Sequence, residues 1–180
     1  MAVEEPKYRV VLQEFPYEVR QYESTLIAET HVQGSLGEAS NKGFRILADF
    51  IFGNNRAAAG ETPQKIAMTA PVTVDSDQTS KAWRVQFTMP ASYNLNTLPK
   101  PNNPAVAIRA LPTKTYAVIV FSGLAGEQKT LEKTRQLNLW CQSRNLQVVG
   151  LAQLARYNPP WTLPPWRRNE IMIELVAMPK

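Results

Sequence analysis

The sequence predicts an α+β fold in which two long helices pack against antiparallel sheets, and three observations carry that expectation. Short runs with the two-residue period of strands alternate with two longer segments that follow the helical period. The pattern of the first half returns in the second at a constant offset. Arg20 and Arg109, Gly34 and Gly123, Gly37 and Gly126, Glu38 and Glu127, Pro71 and Pro160, and Met89-Pro90 and Met178-Pro179 each lie 89 residues apart, with no gap required. Finally, 180 residues with 44% hydrophobic and 19% charged side chains suffice for one buried core, whereas either half alone would struggle to bury one. The expected unit is ββαββ, and the two copies are expected to be related by a pseudo-twofold axis. They form a single domain over 1–180, with a first copy at about 8–90, a linker at 91–104 and a second copy at about 105–179.

Taken in order, Tyr8 to Leu12 and Tyr17 to Tyr22 read as short strands broken at Phe15-Pro16. Thr25 to Gln33 alternates cleanly, with Leu26, Ala28, Thr30 and Val32 on one face and Ile27, Glu29, His31 and Gln33 on a second, solvated one. Gly34-Ser35 opens a helix whose inner stripe is Leu36, Ala39, Gly43, Ile46, Leu47, Phe50 and Ile51. Glu38, Lys42, Arg45 and Asp49 fall on its wet side, and Gly53-Asn54-Asn55 stops it. Lys65 to Val74 reads as a strand interrupted at Pro71, and Trp83 to Met89 as another. Beyond the proline-rich linker come strands at Ala105 to Leu111 and Tyr116 to Ser122. A second helix covers roughly Glu127 to Arg144, with Leu131, Leu137, Trp140 and Cys141 facing inward. Strands at Gln147 to Leu154 and Glu170 to Val176 complete the order.

Between the last two strands lies Ala155 to Ile171, with four prolines, two tryptophans and two adjacent arginines in seventeen residues. Proline fixes φ and removes a donor, so this reads as a stiff, extended loop. Its indoles are expected to be tucked against the protein, and its guanidiniums suit an anion. By the offset of 89, Tyr157 to Trp161 lies over Met68 to Val72.

The net charge of +5 favours anionic partners, but the basic residues are scattered and form no stripe of the kind nucleic acid needs. One cysteine, Cys141, and one histidine, His31, leave no multi-thiolate or His-rich metal centre. The N-terminal segment carries acidic residues and no apolar core, and no segment reaches membrane-spanning length. A cytoplasmic protein with no membrane insertion is the expectation, and the oligomeric state is left open. No nucleophile elbow or phosphate-cradling loop is present, and Glu14, Glu18, Glu23, Glu29 and Glu38 are dispersed, so no catalytic constellation is visible.

Three motifs bear on the ligand. Tyr17-Glu18-Val19-Arg20, Lys65-Ile66-Ala67-Met68-Thr69-Ala70-Pro71-Val72, and Ala155-Arg156-Tyr157-Asn158-Pro159-Pro160 followed by Arg167-Arg168-Asn169-Glu170-Ile171 resemble the SOUL/haem-binding protein family over nearly the whole chain. The resemblance implies a distorted antiparallel β-barrel flanked by two helices. It also implies a carrier or buffer of haem or a related tetrapyrrole, held mainly by apolar contact. The repeat architecture is also similar to gyrase-inhibitor-like domains, which leaves open another amphipathic small molecule with no role for iron.

A tetrapyrrole presents two broad apolar faces and a carboxylate edge, so its site needs flat apolar walls and a cationic rim. Phe44, Leu47 and Ile51, with Ala48, are helix candidates for the walls, alternatively simple core. Ile66, Met68, Tyr157 and Trp161 are candidates from the two proline segments, and Lys65, Arg167 and Arg168 could form the rim. Arg167 and Arg168 could equally satisfy loop carbonyls or pair with Glu170. Met68 and Tyr157 could ligate iron but are better placed to pack, and His31 shares its strand face with Glu29 and Gln33. No metal ligand is therefore assigned.

Overall fold

The computed structural model describes residues 3–58, 60, 62–77 and 82–176. Met178 and Pro179, one of the offset pairs, lie outside them. The elements run β1 (Tyr8–Glu14), β2 (Tyr17–Tyr22), β3 (Thr25–Val32), α1 (Leu36–Phe52), β4 (Asn55–Arg56), β5 (Val72–Asp77), β6 (Ala82–Thr88), β7 (Lys100–Pro101), β8 (Ala107–Leu111), β9 (Lys114–Ser122), α2 (Glu127–Ser143), β10 (Gln153–Arg156) and β11 (Arg168–Leu175). A 3-10 turn, Pro164–Trp166, interrupts the loop before β11, which is thus not extended throughout. The fold is α+β, with antiparallel strand pairing in each unit and two helices.

The chain divides into two units, Met1–Pro6 with Ser24–Leu111, and Lys7–Glu23 with Pro112–Lys180. The division differs from the expected copies. The β1–β2 hairpin joins the second unit, β8 joins the first, and the supposed linker lies within the first, where β7 pairs with β4. The first unit orders its strands β5-β6-β3-β8 and the second β1-β2-β9-β11-β10. In each, one long strand leads into the helix and the helix returns to a pair of strands. Arg20 on β2 lies opposite Tyr116 on β9, and Arg109 on β8 lies opposite Ile27 on β3.

In the first unit, α1 starts where the sequence provides a reciprocal cap. The Ser35 side chain accepts from the Glu38 N–H, and Glu38 Oε2 accepts from the Ser35 N–H at 2.9 Å. The helix stops at Gly53, whose φ of 132° is open to glycine and costly for other residues. Leu36, Ala39, Leu47, Phe50 and Ile51 are buried. Gly43 lets the helix approach β6, since a Cβ there would stand 2.4 Å from Val85 Cγ2. The register pairs Thr30 with Val85 and Ala28 with Phe87, so these side chains face α1 while Ile27, Glu29, Arg84 and Gln86 face away.

In the second unit, α2 buries Leu137, Trp140 and Cys141. The Trp140 ring stacks on Tyr17 at 5.0 Å, and its N–H donates to Glu14 at 3.1 Å. Leu131, expected on the inner stripe, is exposed. Ala117, Ile119, Ile171 and Ile173 form the buried helix-side layer, and Tyr116, Val118, Glu170 and Met172 alternate to the opposite face.

Two segments differ from the expected strands. Lys65 to Pro71 is a connection tied by the Ile66 N–H to Ile51 O at 2.8 Å and by a single bridge between Thr69 and Glu4; the strand begins only after Pro71. In place of Gln147 to Leu154, Val148 bridges Leu175 and pairing resumes at Gln153 with Met172. Lys65–Pro71 therefore precedes β5, whereas the Tyr157–Arg167 loop follows β10. The two proline segments do not hold equivalent places.

Candidate functional site

Each unit carries a buried carboxylate clamped by arginines on the sheet face away from its helix. In the second unit Glu170 is fully buried. Its Oε2 accepts from Arg20 Nη1 at 2.9 Å and from the Tyr157 hydroxyl at 2.8 Å, and its Oε1 accepts from Arg168 Nε at 3.0 Å. Arg20 also donates to Glu18 at 2.5 Å, and its guanidinium lies 4.5 Å over the Tyr8 ring. Burial alone would lower the Arg20 pKa, but the Glu170 charge more than offsets it and holds the guanidinium firmly protonated. Burial and the same carboxylate push the Tyr157 phenol well up. Tyr22 is pushed up to about 12, chiefly by burial, with Arg20 opposing. Around this clamp Tyr116, Val118, Ala155 and Met172 form an apolar layer edged by Tyr22, Val120 and Tyr157.

In the first unit the clamped acid is Glu29, also buried, which accepts from Arg109 and has Arg84 Nη1 3.8 Å from its second oxygen. Arg84 in turn holds Asp75 through two bonds, at 3.0 and 2.5 Å. Burial raises the Asp75 pKa despite that pairing. The strand face expected to be solvated is thus buried at Ile27 and Glu29, and its exposed members are His31, near the strand end, and Gln33 beyond it. Neither cluster was visible in the spacing of the acids. The available signal was the arginine repeated at 20 and 109, each of which contacts the buried acid of its own unit.

The predicted wall and rim residues fall in both units. In the first, Leu47, Ile51 and Ile66 are fully buried core, leaving no surface for a ligand in this conformation. Phe44 is 37% exposed, packs edge-to-face on Phe87 at 5.7 Å, and heads a row in which Ala48 and Phe52 follow at successive helical turns. Phe52 is 54% exposed and was not anticipated, although its spacing from Phe44 and the position of Ala48 between them already marked a second apolar stripe. The Lys65 ammonium sits 5.8 Å over the Phe52 ring, and Met68 is half-exposed three residues on. Arg45 and Arg56 are exposed on and just beyond the same helix. In the second unit, Tyr157 and Arg168 belong to the Glu170 clamp, with the Arg168 guanidinium 3.7 Å over the Tyr157 ring. Arg167 donates to the carbonyls of Thr162, at 2.7 Å, and Pro160, so it braces its own loop. Trp161 and Trp166 face solvent instead of being tucked against the protein.

The SOUL heme-binding protein family model matches residues 3–174, and that decides the family. The chain belongs to it. No curated protein sequence matches this SOUL chain. Among solved structures it is similar to the EcmrR C-terminal domain, with a TM-score of 0.66 at 10% identity, covering 95% of this chain and 99% of that one. It is also similar to a hydrolase from Listeria innocua, with a TM-score of 0.64 at 10% identity and coverage of 92% and 94%. An uncharacterized conserved protein from the same organism gives 0.64 at 9% identity, covering 89% and 92%. At such identities the likeness is one of fold, and the ligand of this SOUL chain has to be argued from its own residues.

Proposed function

We propose that the protein binds haem or a related tetrapyrrole on the outer stripe of α1, as a cytoplasmic carrier or buffer. The observation that carries this reading is the row Phe44, Ala48 and Phe52, whose two rings are partly open on a helix that already buries Leu36, Ala39, Leu47, Phe50 and Ile51 on its other apolar face. Phe44 and Phe52 are eight residues apart, about 12 Å along the axis, so they offer an elongated flat surface. Met68 extends its apolar character, and Lys65, Arg45 and Arg56 supply cations for carboxylates at the ligand edge. The residues therefore fit a flat, apolar dianion. When bound, haem would supply the iron's redox and ligand chemistry, and the chain's share is to hold the macrocycle and neutralise its carboxylates.

Within this reading no protein ligand is assigned to the iron: His31 stands on the sheet whose opposite face receives α1, and Met68 serves as an apolar contact. Metal-free protoporphyrin should then bind about as well as hemin, and both should weaken as salt rises, since exposed cations are screened. Absorbance titrations of both pigments against the purified protein test this. Binding of hemin alone, lost in His31→Ala, would refute it.

The second reading, another amphipathic anion with no role for iron, uses the same stripe and rim. It is favoured if hemin and protoporphyrin both fail to saturate while a smaller amphipathic carboxylate binds.

A further inference from the structure

One end of the sheet of the second unit carries five large apolar side chains in solvent. Phe15, Leu124, Trp161, Leu163 and Trp166 are 92, 63, 82, 57 and 74% exposed. The backbone gathers them there. The Gly123 N–H donates to Pro164 O and the Val120 N–H to Pro16 O, both at 3.0 Å, so the 3-10 turn and the β1–β2 turn both flank the end of β9. Arg168, the first residue of β11, lies opposite Ser122 at the same end.

The loop that bears the two indoles is braced in this exposed position. Arg167 ties the carbonyls of Thr162 and Pro160, the Trp166 N–H closes on Leu163 O at 3.0 Å, and Asn158 accepts from the Arg168 N–H at 2.6 Å. Pro159, Pro160, Pro164 and Pro165 have no N–H to leave unsatisfied. Such a surface can enter an apolar medium with few backbone groups stranded. Exposed indoles are also the side chains that favour the boundary between water and lipid headgroups.

The charge has the matching sign. Arg156 donates to Ala125 O at 2.9 Å and Arg167 to two carbonyls; among the described residues neither guanidinium is paired with a carboxylate. The acids of the adjoining hairpin are already engaged, Glu14 by Arg144 and Glu18 by Arg20.

We propose that this end of the second unit docks on the surface of an anionic phospholipid bilayer, with Trp161 and Trp166 at headgroup level and Arg156 and Arg167 supplying the positive charge behind them. None of the helices of the described residues is long and apolar enough to cross a membrane, and the association proposed is one of the surface. The combination of an apolar cluster and a cationic patch supplies the two contributions that surface binding requires.

Sedimentation of the full chain with vesicles of phosphatidylcholine, with and without phosphatidylglycerol, tests the proposal. The protein should pellet with the anionic vesicles and be released by salt. Trp161→Ser/Trp166→Ser should reduce binding about tenfold or more while leaving the melting temperature unchanged, because both side chains are exposed. Equal pelleting with and without vesicles, or undiminished binding of the double variant, would overturn it. So would absent vesicle binding accompanied by capture of the loop by a proline-recognising SH3 domain, which would assign the surface to a protein partner.

Discussion

Replacing Glu170 with Gln keeps the side-chain shape and removes the charge at the centre of the second unit's clamp. Two consequences follow from the geometry. Arg20, with a side chain only 3% exposed, loses its fully buried counter-ion and keeps Glu18 as its remaining carboxylate. The Tyr157 hydroxyl and Arg168 must then share a neutral amide, one end of which donates instead of accepting. Breaking a buried pair by removing one partner costs about 3–5 kcal/mol, and because Glu18 remains the lower end is expected, about 3 kcal/mol. Arg168→Gln removes a half-exposed cation from the same carboxylate and should cost no more than about 1 kcal/mol. Urea unfolding of the two variants, compared at equal slope, gives the difference directly. Arg20→Met/Glu170→Met, which removes both charges, should be less destabilised than Glu170→Gln alone. Equal losses for Glu170→Gln and Arg168→Gln, or a double variant worse than the single, would refute the clamp as a buried, mutually dependent pair.

Gly43→Ala gains about 1 kcal/mol of helix propensity, yet its new methyl would overlap the β-branched and fully buried Val85; net destabilisation by about 1–2 kcal/mol is expected in thermal unfolding, partly relieved by Val85→Ala. Alkali should unfold the protein earlier than a dispersed tyrosine set would. Tyr22 keeps its proton in the folded state up to about 12, while the unfolded chain releases it near 10, so its contribution is intact below about pH 10 and lost as pH rises through about 12. Tyr22→Phe should flatten that decline, as followed by circular dichroism alongside ultraviolet phenolate titration. The Cys141 thiol, raised to about 11 by burial, should react with thiol reagents in the folded protein only at the rate of unfolding.

How far the fold could be read from sequence depended on whether local pattern or distant pairing decided each element. The helical period from Leu36 was sufficient, because one face of that helix is buried and the caps Ser35 and Gly53 are local; the alternation over Thr25 to Val32 located the strand but not its burial, since both faces are covered from Ile27 to Thr30. Lys65 to Pro71 has the composition of a strand, but its backbone partners come from Glu4 and Ile51, far away in sequence, and no ladder forms. The strand expected from Gln147 is interrupted between the Val148–Leu175 bridge and the Gln153–Met172 pair, where the chain advances five residues against three and bends at Gly150. A period-two pattern carries no information about such an insertion.

The candidate site divides along the same line. Phe44, Lys65 and Met68 lie on or beside a helix face whose excess apolar width is readable from spacing alone. Leu47, Ile51 and Ile66 share that apolar character, but whether an apolar side chain is covered depends on what packs over it, and here core covers all three. The buried acids Glu29 and Glu170 meet Arg109 and Arg20, 80 and 150 residues away, and no local rule links those pairs; the part of the clamp readable from sequence was the pairing of Glu170 with Arg168, two residues before it. The exposure of Trp161 and Trp166 is the converse case: Arg167 and the prolines hold the loop in a shape that leaves the indoles without a surface to cover.

The most direct test of the account is hemin titration of Phe44→Ser/Phe52→Ser, followed by absorbance. Both rings are partly exposed on α1, so the fold should survive, and losing two apolar contact surfaces of about 1–1.5 kcal/mol each should weaken binding roughly 30–150-fold. A saturable hemin spectrum in the parent, weakened by that margin in a variant that keeps the parent's circular dichroism at the titration temperature, is the predicted result; some loss of melting temperature is expected from the lost Phe44–Phe87 contact. Undiminished hemin binding by the variant would contradict the placement of the ligand on this stripe.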